Sequence, residues 1–215
     1  MKGIILKDLY DNFRVGKNLA SYIFGGGFIV ILGLLINTKF NFLWVTLITA
    51  TVFSSCTIES ACEQDERANF NRMMMSFPLS KSQIVAARYL LALCCAAVTN
   101  LLTFLYLLYC VFLRHILSFR EAAEFWGIAL SFSIFFSGLT HITYYLFGKK
   151  LATIIYVILF LIVGVTYSLF VVVLGLTDIL TVNRTVLLIA SFPLSLGFFG
   201  LSYLISVQIY KRRYA

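Results

Sequence analysis

Hydrophobic residues fall in long blocks along this chain, and the polar junctions between them are short, with one exception. Six blocks carry no charge or nearly none, at roughly 19–36, 42–58, 86–112, 125–147, 151–174 and 186–209. Each is long enough to cross a hydrocarbon core of ~30 Å as a helix of ~20 residues. The expected fold is therefore an all-α integral membrane protein with six transmembrane helices in one domain, residues 1–215.

The exceptional junction runs from Glu59 to Arg88. It holds Glu59, Glu63, Asp65 and Glu66, then Arg67, Arg72, Lys81 and Arg88. Inside it Phe70, Met73, Met74 and Phe77 recur at i, i+3, i+4 and i+7, one apolar stripe of a helix. Glu63 and Arg67 form an i, i+4 pair of the favoured sense. Pro78 must end that helix, since proline restricts the residue before it and donates no backbone bond. Ser80 and Gln83 then have capping-box spacing, with Leu79 and Ile84 placed as a hydrophobic staple, so a new helix starts at once. Counted from Ser80 to Leu113, this helix is ~50 Å long, well beyond the hydrocarbon. A push on residues 70–77 is thus delivered to the base of a long rod.

Before the first block, Ile5, Leu9 and Phe13 recur at four-residue spacing, while Lys2, Lys7, Asp11 and Arg14 take other faces. Residues 1–18 are expected to form an amphipathic helix in the membrane interface, lysines toward anionic headgroups; the alternative is a basic flank that frays. No small-residue cleavage pattern follows a short apolar region, so no cleavable signal peptide is expected. Gly25, Gly26 and Gly27 weaken the first span and mark either close helix packing or a hinge. Pro193 should kink the sixth.

Charge then orients the chain. With six spans and the amino terminus inside, thirteen Lys and Arg fall in cytoplasmic segments, against Lys39, Arg114, Arg120 and Arg184 outside. That is a positive-inside pattern with both termini and the 59–88 junction in the cytoplasm. It accounts for the net charge of +8 without invoking nucleic acid, because the basic residues form no single patch. The five cysteines show no ligand spacing and read as small membrane residues.

Candidate chemistry is sparse. No phosphate-cradling G-x-x-x-x-G-K-[ST] loop occurs, and with His115 and His141 alone a histidine metal site is not expected. No Asp or Glu lies well inside a span, as a proton- or sodium-driven carrier would need. Three polar positions in the spans are candidates for a substrate pathway: Asn100, Ser137 and His141. For Asn100 the competing reading is a hydrogen bond to a neighbouring helix; for His141 it is a structural histidine near the inner interface.

The run Phe77-Pro78-Leu79-Ser80-Lys81-Ser82-Gln83-Ile84-Val85-Ala86-Ala87-Arg88-Tyr89-Leu90, with the six spans and the basic amphipathic start, resembles the permease subunits of bacterial ABC-2 type exporters. The similarity is greatest to the subgroup that exports amphipathic peptides or gives immunity to antimicrobial peptides. The resemblance implies a homodimer of permeases in the cell membrane, each docking a separate ATP-binding subunit. ATP and magnesium would belong to that subunit, and this chain would hold no cofactor and catalyse nothing. It also implies that residues 59–79 are a coupling region, with Glu63, Glu66, Arg67, Phe70, Met73, Met74 and Phe77 as its contacts. The apolar stripe alone is also explained by packing under the protein's own membrane ends. Two other classes stand beside this reading: a multi-span structural or regulatory subunit that binds no ATPase, and a membrane enzyme.

Overall fold

The computed structural model describes residues 2–35, 39–68, 70, 73, 80–173 and 184–213. Their elements are all helices: α1 (Lys2–Phe13), α2 (Gly16–Leu35), α3 (Lys39–Arg67), α4 (Lys81–Phe112), α5 (Phe119–Val173) and α6 (Arg184–Arg213). Four helices among the described residues are long and apolar enough to cross a membrane, over Val45–Arg67, Lys81–Phe112, Phe119–Ile162 and Leu188–Arg213.

The start of α4 follows the capping logic of its sequence. The Ser80 hydroxyl accepts from the Gln83 amide at 3.3 Å, and the Gln83 side chain accepts from the Ser80 amide at 3.1 Å. Two amide groups that the first turn would leave unpaired are thereby satisfied. The helix ends at Leu113, as the uninterrupted apolar run requires. Leu79 and Pro78, the other parts of the expected helix break, lie outside the described residues.

Although α5 is one element of 55 residues, it is two helices. Gly148 has φ 73° and ψ 179°, a conformation open at little cost only to glycine. The Phe136 and Tyr156 rings are 6.3 Å apart, whereas twenty residues of straight helix would separate them by ~30 Å. The Tyr144 and Thr153 hydroxyls meet at 2.8 Å. The chain therefore turns back on itself at Gly148, where the sequence placed the Lys149–Lys150 junction between its fourth and fifth apolar blocks.

Packing concentrates at the two ends of the bundle. One apolar cluster contains Ile4, Ile58, Ile84, Val85, Tyr144, Tyr145 and Tyr210, where α1 lies; the other contains Leu107, Cys110, Leu117 and Phe125. Between α5 and α6 the helices come very close. A Cβ on Gly138 would stand 3.3 Å from the Phe199 backbone, and Ser202 donates to the Gly138 carbonyl at 2.6 Å. Small residues permit this approach, and the hydroxyl satisfies itself across the interface.

Two details differ from the sequence expectation. The helix of the second apolar block runs past the block's end at residue 58 to Arg67, carrying the acidic cluster on a rod long and apolar enough to cross a membrane. At Gly25 and Gly27 of α2 the helix is unbroken, and an added Cβ would meet nothing. Neither position is packed within the chain.

Candidate functional site: an ion-pair layer joining five helices

The carboxylates at the end of α3 are spaced so that Asp65 turns inward and Glu63, Glu66 and Arg67 point to other sides. Asp65 is 1% exposed. It receives Arg88 of α4 on one oxygen and Lys7 of α1 on the other, the latter at 2.7 Å. Lys7 also pairs with Asp8 and Asp11, both at 2.9 Å, and Arg88 Nε lies 3.7 Å from Asp8. Asp8 is as withdrawn from water as Asp65, and Arg88 is buried too. Three helices thus share a layer of two cations and three carboxylates.

This layer sits where it does because α1 turns a polar stripe, not its apolar one, toward the protein. Ile4, Asp8 and Asn12, at i, i+4 and i+8, are its buried residues. Asn12 donates to the Asp8 carbonyl at 2.7 Å and to the Thr57 carbonyl of α3 at 3.2 Å, and accepts from the Tyr22 hydroxyl of α2 at 2.9 Å. Asn18 donates back to the Asp11 carbonyl at 2.7 Å. Ile5, Leu9 and Phe13, the apolar face of the expected interfacial helix, flank this stripe.

Burial and charge compete on α1. Burial raises the Asp8 carboxyl above its usual range against the pull of Arg88 and Lys7. For Lys7, burial favours loss of the proton, but Asp8, Asp65 and Asp11 prevail and hold the ammonium above its ordinary range.

Glu63 forms a second, wetter hub. It meets Lys149 of α5 at 2.5 Å, Arg67 of its own helix at 2.6 Å and Lys17 of α2 at 3.1 Å. One turn earlier, the Thr153 hydroxyl of α5 reaches Glu59 at 3.2 Å. Through its acidic end, α3 is therefore fastened to α1, α2, α4 and α5. The arrangement has the means to transmit displacement and offers no nucleophile or acid–base pair aimed at a cleft.

Of the expected coupling contacts, Glu63 is the hub just described, and Glu66 and Arg67 are exposed. Phe70 is half-buried, packed on the protein's own core with the Lys7 ammonium 4.6 Å from its ring centre. Met73 is 53% exposed. Met74 and Phe77 lie outside the described residues.

The three candidates in the spans are buried at helix interfaces. Asn100 donates to Ser133 of α5 at 3.2 Å, and its carbonyl accepts from the Trp126 indole at 2.9 Å. His141 Nδ1 donates to the Ser137 carbonyl at 2.7 Å, and its ring stands 4.4 Å from that of Tyr89. The Tyr89 hydroxyl is bracketed by Ser202 at 2.6 Å and Ser206 at 2.8 Å. Ser137 and His141 are one turn apart, and Asn100 meets the turn before them, so the three lie along one seam between α4, α5 and α6.

Lys7, Asp8, Asp65 and Arg88 were not singled out from sequence, although a signal existed. Arg88 stands two turns inside a helix whose one other charge is Lys81 at its start, and a buried guanidinium requires a carboxylate. Asp65 is one of few within reach of that depth.

Among known families, a model described as "ABC-2 family transporter protein" matches residues 3–211. No curated protein and no solved structure matches the chain.

Proposed function

The chain belongs to the ABC-2 transporter family, and on that premise we propose that it is the permease subunit of an exporter worked by a separate ATP-binding subunit. In this reading six spans cross the cell membrane with both termini in the cytoplasm, and residues 59–79 receive the ATPase. The observation that carries it is the fastening of the α3 end to four other helices through Asp65 and Glu63. A force applied beyond Arg67 acts on five helices at once.

Hydrolysis and its magnesium belong to the partner, and the part of this chain is mechanical. Exposed Glu66, Arg67 and Met73 would form the contact, with Met74 and Phe77 continuing it. Phe70 would hold the contact helix against α1 instead of entering the partner. The open Gly25–Gly27 side of α2, with Ile23 and Phe24 exposed beside it, suits close approach by a second copy. Amphipathic or hydrophobic cargo, peptides first among them, would pass between the copies. The α4–α5–α6 seam holding Asn100, Ser137 and His141 then acts as structural support, since Asn100 bonds Ser133 across it and the His141 ring packs on Tyr89.

Co-expression with the ATP-binding subunit encoded nearest to the chain, followed by detergent co-purification, tests this. The wild type should retain the ATPase, and an Arg67→Glu, Met73→Glu variant of unchanged thermal stability should lose it. Equal retention by both would remove the coupling contact, and no retention by either would favour a subunit that works without an ATPase.

A further inference from the structure

The face of α1 that the ion-pair layer leaves out forms one wall of a groove. Ile5, Leu9 and Phe13 line it on one side, α4 supplies the other wall from Leu90 to Leu102, including Leu91 and Cys95, and Tyr22 of α2 and Thr57 of α3 complete the lining. Its volume is about 520 Å³, within the ~300–1,000 Å³ of ligand clefts. The polar atoms along it are turned away: the Thr99 hydroxyl bonds the Cys95 and Ala96 carbonyls, and the Tyr22 hydroxyl bonds Asn12. The exposed lining is thus almost wholly apolar.

We propose that this groove holds one acyl chain of a resident phospholipid from the leaflet in which α1 lies. Two features select that occupant. Along α4 the groove extends twelve residues, ~18 Å, close to the ~15 Å of one leaflet's hydrocarbon. Its open side is membrane-facing, because Leu90, Val98 and Leu102 of the crossing helix α4 are each about half exposed.

Charge fits the same occupant. Lys2 and Arg14 are exposed at the two ends of α1, and no acidic partner for either occurs among the described residues. Either end of α1 thus offers a cation to an anionic headgroup. Leu6 and Tyr10, exposed on α1, would rest in the surrounding lipid. The bound chain would complete the seating of α1 on the apolar side, as Asp65 and Arg88 do on the polar side. The proposal depends on membrane embedding alone and not on export or its direction.

The test titrates an anionic phospholipid with a photoreactive diazirine in its acyl chain into the detergent-purified full chain. Labelled residues are mapped by mass spectrometry after illumination. Labelling at Leu91, Cys95 and Leu9 should saturate near one lipid per chain, while labelling at Leu101 and Leu105 on the open surface of α4 rises without saturation. In Cys95→Trp, which fills the groove, the saturable labelling should fall about tenfold, equivalent to ~1.4 kcal/mol of binding, with the Leu105 signal kept. Parallel, unsaturated labelling of groove and surface in the wild type would overturn the proposal. So would chain-to-chain linkage at Cys94 by a short thiol crosslinker, which would place a second copy on the groove. The wild-type titration decides the matter even if Cys95→Trp fails to fold.

Discussion

Arg88 of α4 is bonded to Asp65 of α3 at a depth where neither side chain meets water. The two are twenty-three residues apart, and the polar junction that separates them in sequence is what this contact closes. Removing one partner leaves the other charged and buried, which costs ~3–5 kcal/mol. Asp65→Ala should therefore lower the thermal midpoint in detergent sharply. An Asp65→Leu, Arg88→Met double variant should recover most of that loss. A single variant as stable as the wild type would show that the pair is hydrated.

Asp8 should behave in the opposite way to a surface salt-bridge carboxylate. Burial raises its folded-state pKa, so the folded protein binds this proton more tightly than the unfolded chain, whose carboxyl titrates near ~3.9. Its contribution is fully present below that unfolded value and is lost as pH rises through the raised folded value. Lys7, raised above its ordinary range, keeps its contribution throughout the acid and neutral range. The stability of wild type relative to Asp8→Asn should thus shift in favour of the wild type on going from pH 7 to pH 4. Thermal melts of the two proteins across that range check the sign; a shift toward Asp8→Asn would refute it.

Gly148 should tolerate no side chain. A Cβ there would meet only Glu66 Oε1 at 3.9 Å, an ordinary contact, so the penalty is conformational. At φ 73° and ψ 179° a substituted residue is strained by ~1–3 kcal/mol. Gly148→Ala should lose that much stability by denaturant titration. Gly3→Ala, in a helix and with nothing near its Cβ, should be neutral or slightly stabilising.

The Glu63 hub should matter less to stability than its number of partners suggests. Lys17 and Arg67 are more than half exposed, and such pairs contribute at most ~1 kcal/mol each. Glu63→Gln should cost about that much in total and lose the difference at high salt. Comparing melts of both proteins at low and high ionic strength measures it.

Much of this was readable in the sequence. The helical class, the Ser80–Gln83 cap, the length of α4 and the break before Lys149 follow from apolar runs and local hydrogen-bonding rules. Those signals act within a few residues and survive in any tertiary setting. The ion-pair layer was not readable in the same way. Lys7 and Asp8 belong to a mixed-charge start that equally suits a solvated flank, and only the docking of α1 on α3 and α4 gives them partners. Residue spacing suggested an interfacial helix resting on Ile5, Leu9 and Phe13, with its lysines toward headgroups, and gave no sign that Lys7 would be drawn into the protein. Asn12, by reaching the Thr57 carbonyl and the Tyr22 hydroxyl, brings the polar stripe inward instead. Phe70 belongs to the apolar stripe expected of a docking helix, yet Lys7 draws it onto the protein's own core.

Photo-crosslinking from residue 73 addresses the coupling of α3 to an ATPase most directly. A photoreactive phenylalanine analogue replaces Met73, with the same replacement at Leu101 of α4 as the membrane-facing control, and each is illuminated in cells that also express the ATP-binding subunit. The expected result is a product with that subunit from position 73 and none from position 101. Products from position 73 confined to the chain itself would contradict the account, leaving the acidic end of α3 as an internal brace only.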